Sequence, residues 1–391
     1  MSNKGNELII NKHVLLCLED KKNPEFEELK NKFCGIVTQE IKDLSKDQLL
    51  YLYGDMKKIY DKIKDLNCKI IYVIKELSSN YEVCEKYKII NIGMVPININ
   101  NIGIYFRNFF EQENIFDLIK EAHNFKKLKQ GSKIEDAFRK GIYLSKVVEE
   151  KDGLKYNLLR CSTNIDGGTQ NLKDIDNQII SQINNICQDF FTEKVELNHA
   201  LVQLYESNGN KKARIKHHSD KTKDMPENGV IVFGSFYDLK GATKSKTDMF
   251  DYCYKKTSVL TSLQFVLKSG IKDEKLVEKF SIKLYPNSVF IIPLSTNRLY
   301  THATEPSILQ ADKISLRIGY TIRCSKTLAK YMNGTTYIIK DDKYIKLEDM
   351  TKENEKELTD MYYSENTTDK VINYGDIYYS MNRGDYMKPE V

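Results

Sequence analysis

Six histidines are spread through the 391 residues, and two of them keep company that suggests chemistry. In the run Lys216-His217-His218-Ser219-Asp220-Lys221-Thr222, one residue separates His218 from Asp220. At the end of a strand, residues i and i+2 project to the same side, so an imidazole and a carboxylate at this spacing can grip one ion. His302 stands 82 residues beyond Asp220, just after the apolar run Ser288–Pro293. Two imidazoles and one carboxylate make the facial set that leaves positions open on ferrous iron. His217 is the poorer ligand candidate: strand neighbours face opposite ways, and choosing it would leave no carboxylate two residues on.

A second group of residues lies in Ile314-Ser315-Leu316-Arg317-Ile318-Gly319-Tyr320-Thr321-Ile322-Arg323. Arg317, Gly319, Thr321 and Arg323 alternate with Ile318, Tyr320 and Ile322. That period puts two arginines and a threonine on one face of a strand and apolar side chains on the other. Buried guanidinium groups need anionic partners. The pattern therefore predicts either internal salt bridges or a pocket for a small dicarboxylate, which an arginine fork binds bidentately.

Together these features resemble the AlkB-like family of iron(II)- and 2-oxoglutarate-dependent dioxygenases. The family's His-x-Asp, distal His and Arg-x-Asn-x-Thr-x-Arg strand read here as His218-Ser219-Asp220, His302 and Arg317-x-Gly319-x-Thr321-x-Arg323. Its upstream Asn-x-Tyr reads Gln203-x-Tyr205. The resemblance spans roughly residues 95–325. It implies a double-stranded β-helix core with flanking helices, in an α+β chain. It also implies Fe(2+) held by His218, Asp220 and His302, a 2-oxoglutarate cosubstrate, and O2. Arg317 would pair with the far carboxylate, with Tyr205, Gln203 and Thr321 around the cosubstrate. Arg323 would hold its iron-side end or brace Asp220. The implied activity is oxidative demethylation or hydroxylation of a nucleic-acid base, with a protein or small-molecule hydroxylase as the alternative on the same scaffold and a non-catalytic binding module as a third reading.

Departures from the family bear on the substrate. Gly319 replaces an Asn, and Gln203 replaces another. Where some members carry a base-reading acid, this chain has Thr222, with Asp224 nearby. Tryptophan is absent, so base stacking would fall to Tyr143, Tyr156 or Tyr252. The basic segments Phe125–Lys140 and Lys240–Lys256 are candidates for a phosphate track.

Composition permits this reading. Sixty basic and 55 acidic residues give a net charge of +5, too mild to demand a nucleic-acid partner. No apolar run approaches the ~18 residues a membrane span needs, and no secretory signal is visible at the start. Eight cysteines form no Cys-x-x-Cys pair, so they read as reduced thiols of an intracellular protein, cytoplasmic or nuclear.

The elements that must position these residues divide the chain in three. Residues 1–93 read as a helical accessory region: Phe26, Leu29 and Phe33 keep helical spacing, and Ser45 with Gln48 reads as a capping box opening a second helix along Leu49, Met56, Ile59, Ile63 and Leu66. Residues 94–325 hold the dioxygenase-like domain, with helices near 115–122 and 175–190 and irregular loops and short strands over 126–165. The period then switches to two, predicting strands at His199–Glu206, Gly229–Tyr237, Val259–Leu267, Phe280–Leu284, Ser288–Pro293 and Lys313–Cys324. Residues 326–391 read as an appended element or a partly disordered tail.

Overall fold

The computed structural model describes residues 6–18, 24–41, 44–83, 87–129, 136–209 and 211–391. The chain is a mixed α/β protein whose core is dominated by sheet. All six predicted strands form, as His199–Tyr205, Val230–Tyr237, Ser262–Leu267, Lys279–Lys283, Ser288–Pro293 and Arg317–Arg323. Four of them (His199–Tyr205, Arg317–Arg323, Val230–Tyr237 and Ser288–Pro293) lie side by side in that order, antiparallel, in the middle of the largest sheet.

Alternation along these strands builds two cores. Ala200, Val202, Val232, Ile318, Tyr320 and Ile322 point to one face and pack against Ile179, Ile183 and Phe190 of the Asp174–Phe190 helix. Leu201, Phe233, Phe290 and Ile292 point to the other face and meet Leu263, Phe265 and Ile282 of a smaller four-stranded sheet. Each such apolar side chain taken from water contributes about 1.5–3 kcal/mol. The smaller sheet runs Ile215–His218, Tyr300–Glu305, Ser262–Leu267, Lys279–Lys283. The site lies between the two sheets.

Three expectations need correction. Residues 1–93 are not helical: they carry a five-stranded parallel sheet, Ile36–Thr38, His13–Leu16, Leu49–Asp55, Ile70–Ser79, Lys88–Ile90 in spatial order, with helices at Pro24–Lys32 and Met56–Ile63. Strands covered on both faces read as unbroken apolar runs, which mimic a helix segment over a few residues. Leu49 to Tyr53 is such a run, buried throughout. The Gln48 side chain does accept from the Ser45 amide at 2.8 Å, but that turn launches a strand. The helix starts only at Met56, capped by Asp55, whose side chain accepts from the Lys57 amide.

Residues 126–165, expected to hold loops and short strands, include the short strand Gly153–Leu158 but also a long one, the ten-residue Asp136–Ser145 beside His199–Tyr205. The tail is ordered as well. Thr327–Met332, Thr335–Lys340 and Lys343–Lys346 form hairpins that add to Gly153–Leu158. Asn333-Gly334 and Asp341-Asp342 turn these hairpins with φ of 50°, 81°, 49° and 59°, the left-handed geometry of tight two-residue turns. A 16-residue helix, Lys352–Thr367, follows. The seven described cysteines are all unpaired. Among the described residues, no helix is long and apolar enough to cross a membrane.

The N-terminal sheet is pinned to the core through His13. Its ring stacks on Phe190 at 3.7 Å and 9°, with Nε2 3.2 Å from the Asp189 carbonyl. Burial pushes its pKa down from 6.5 to about 4, against the opposing effect of that carbonyl. The folded protein therefore keeps a neutral ring while the unfolded chain takes up a proton below about 6.5. Stability is full above that pH and is lost as pH falls towards 4. Between pH 7 and 5 this one group costs about 2 kcal/mol. A His13→Phe variant keeps the stack and removes the titration. In urea unfolding its stability relative to wild type should improve by about that amount between pH 7 and pH 5. Parallel profiles would contradict the assignment.

Candidate metal and dicarboxylate site

Strand pairing brings the three candidate ligands together. Ile215–His218 pairs with Tyr300–Glu305, placing His218 directly opposite His302. Their rings lie 4.4 Å apart. The strand ends at His218, so Asp220 is held by other means. Asn297 clamps its backbone from both sides: its Oδ1 accepts from the Asp220 amide and its Nδ2 donates to the Asp220 carbonyl, each at 2.9 Å. Arg323 Nε donates to Asp220 Oδ2 at 2.9 Å. That leaves Oδ1 facing His218 Nε2 at 3.6 Å and His302 Nε2 at 4.0 Å. These separations are too long for hydrogen bonds and leave room for an ion among the three. His218 Nδ1 lies 2.9 Å from the Lys216 carbonyl, which can only accept, so the proton sits on Nδ1 and the Nε2 lone pair is free. The donor set suits a divalent transition metal with open positions.

The electrostatics favour the deprotonated ligands a metal needs. Burial opposes ionisation of Asp220, but Arg323 and the two imidazoles outweigh it and hold the carboxyl below its usual range. Burial, aided by His218, pushes His302 down to about 3. Arg323 is paired with Asp220, and its Nη1 also reaches Cys161 Sγ at 3.6 Å. His217 turns away to Gln264, with Nε2 3.1 Å from Oε1.

The remaining predicted residues line the same cavity of about 410 Å³. Arg317 lies flat on the Tyr205 ring, 3.9 Å from its centre. Its Nη1 donates to Ser235 Oγ at 3.4 Å, while Nε and Nη2 are buried without a partner. Two orphaned guanidinium donors are expensive unless an anion completes them. Tyr205 donates to Gln203 Oε1 at 3.1 Å. Gly319 leaves room here: a Cβ would come within 2.8 Å of Arg317 Nη1 and 3.2 Å of the Tyr205 ring, so a larger residue would shift the guanidinium. Thr321 lines the wall beside them.

The base-reading candidates do not reach the cavity. Tyr143 and Tyr156 are each 2% exposed; the former donates to the Thr163 carbonyl, the latter packs in the sheet carrying the C-terminal hairpins. Asp224 pairs with Arg160 at 2.6 Å and accepts from Thr327. Tyr252 lies in a small three-stranded insert with Lys244 over its ring. Part of the basic segment Phe125–Lys140 lies outside the described residues.

The His-x-Asp loop is closed by residues the motif could not show. Asn366 Oδ1, at the end of the C-terminal helix, accepts from the Ser219 amide at 2.7 Å. Glu365 Oε1 accepts from the Thr222 amide at 3.0 Å and also from its hydroxyl. Lys221 reaches the Tyr362 carbonyl and lies 5.0 Å from its ring. Thr222 is therefore turned to the helix and away from the cavity.

No protein-family model matches the chain, and no curated protein matches it. Among solved structures it is similar to rice OsALKBH1, with a TM-score of 0.34 and 12% identity, over 57% of this chain and 96% of that one.

Partners beyond the direct ligands typically change metal affinity by 10–100-fold. An Asn366→Ala variant frees the Ser219 amide and should weaken cobalt(II) binding about tenfold in calorimetric titration, with little change in melting temperature. Unchanged affinity would show that the C-terminal helix does not support the site.

Proposed function

We propose that the protein is an iron(II)- and 2-oxoglutarate-dependent dioxygenase whose two facing sheets form a double-stranded β-helix. The observation that carries this reading is the pairing, in one cavity, of the His218–Asp220–His302 cluster with the two unsatisfied donors of Arg317. Structural ion-pair networks satisfy their arginines; an orphaned fork facing a candidate metal site argues for an absent dicarboxylate.

When bound, iron(II) would supply the redox chemistry that couples decarboxylation of 2-oxoglutarate by O2 to oxidation of a C–H bond. The protein's part is position. His218, Asp220 and His302 hold one face of the ion. Arg323 and Asn297 keep Asp220 aimed at it. Arg317 takes the distal carboxylate in a side-on fork, with the Tyr205 hydroxyl and Gln203 beside it. Phe233, against His302 at 5.0 Å, and Leu263 keep the wall between them apolar.

For the substrate we propose a nucleic-acid base, supported by the cationic side chains around the cavity and by the lysine-rich insert Lys240–Lys256. The burial of Tyr143 and Tyr156 favours the second reading, a protein or small-molecule hydroxylase, because it removes two of the three candidate stacking faces.

Turnover tests this directly. Purified protein with iron(II), ascorbate and 2-oxoglutarate should release succinate, with formaldehyde where the substrate is an N-methyl base. Asp220→Ala should abolish release. Gly319→Asn, which pushes into Arg317, should raise the KM for 2-oxoglutarate at least tenfold and leave metal content unchanged. Succinate release that survives Asp220→Ala would contradict the proposal.

A further inference from the structure

The cavity holds a third arginine, one that the motif does not assign. Arg139 lies on the Asp136–Ser145 strand, directly opposite Tyr205, while Arg317 lies opposite the same tyrosine on the other side. Directly opposed residues project to the same face of a sheet. Arg139, Tyr205 and Arg317 thus form a row across three strands, with the arginines roughly 10 Å apart at the backbone. Both line the cavity.

Arg139 is not a structural salt bridge. Its guanidinium makes no hydrogen bond or ion pair with any described residue, and its Nε is buried without a partner. It also stacks on no aromatic ring. Its neighbour Lys140, by contrast, pairs with Glu206 at 3.5 Å on the exposed side. The charge balance isolates Arg139 further. Among the described residues, the only carboxylate lining the cavity is Asp220, and Arg323 takes it. The metal would balance a bound dicarboxylate, and the orphaned Nε and Nη2 of Arg317 form a fork for one carboxylate end. Among the described residues Arg139 then remains a cation without a carboxylate partner, on the wall of the same cavity and level with Arg317. Lys216 adds positive charge to the same lining.

We propose that Arg139 anchors an anionic oxygen group, a carboxylate or a phosphate, carried by the substrate that this cavity oxidises. The inference rests on the dioxygenase reading and narrows its substrate to an anion. It separates two roles: Arg317 holds the cosubstrate, and Arg139 selects the substrate.

The test uses the full chain loaded with manganese(II) under anaerobic conditions. Calorimetry first measures 2-oxoglutarate, then inorganic phosphate or acetate added to the loaded protein. Wild type should bind a second anion. A charge-assisted contact is worth about tenfold in affinity, so Arg139→Ala should weaken the second anion by that factor and leave 2-oxoglutarate within about twofold. Arg139→Lys should fall between, which a mere packing role would not produce. Tighter phosphate than acetate identifies a phosphate-bearing substrate; the reverse order identifies a carboxylate. Loss of 2-oxoglutarate affinity in Arg139→Ala with the second anion unaffected would overturn the proposal, as would a wild type that binds no second anion. A wild type that binds phosphate through Arg139 but no 2-oxoglutarate would instead overturn the dioxygenase reading, and with it the role of Arg139 in oxidation.

Discussion

The ion pair between Asp220 and Arg323 is the constraint on which the site depends. Asp220 stands beyond the end of its strand, where no ladder bond fixes it, and its side chain is 4% exposed. A carboxylate buried there without a partner would protonate and cease to be a ligand. Arg323 prevents this from the central strand of the large sheet. It occupies one oxygen and leaves the other to the imidazoles. Removing one member of such a buried pair typically costs about 3–5 kcal/mol, because the other is stranded. The same strand carries Arg317 at its opposite end, six residues away, so one element positions both the Asp220 carboxylate and the unpaired donors of Arg317.

The rest of the chain protects this arrangement. The Asp174–Phe190 helix covers the apolar face of the central strands. On the other side, the C-terminal helix ties down the loop from Ser219 to Thr222 through Asn366 and Glu365. Lys268 strengthens this closure by donating to the carbonyls of Glu365 and Thr368. Behind the loop, Asp224, Arg160 and Thr327 join the domain core to the C-terminal hairpins. The tail is thus part of the wall of the site.

Much of this was legible in sequence for a physical reason. Strands with one face on each core alternate cleanly, so Arg317–Arg323 announced both its register and its polar face. The His-x-Asp spacing located the cluster from an expected strand end at His218, although the strand that carries His302 was not foreseen. Ile215–His218 is four residues long and largely exposed, and Tyr300–Glu305 mixes polar and apolar types on both faces. The parallel strands of the N-terminal unit were illegible because burial on both faces erases alternation. Asn297 and Asn366 act through contacts distant in sequence, and a lone Asn carries no local signature.

The central claim is that one cavity holds a metal and a dicarboxylate together, and chelation of 2-oxoglutarate to iron(II) tests it most directly. Anaerobic addition of 2-oxoglutarate to the iron(II)-loaded protein should produce a visible charge-transfer absorption. That band should be absent from the zinc(II)-loaded protein. It should need a higher 2-oxoglutarate concentration in Arg317→Ala, with metal content unchanged. Binding of 2-oxoglutarate at equal affinity with and without metal, and with no such band, would contradict the account.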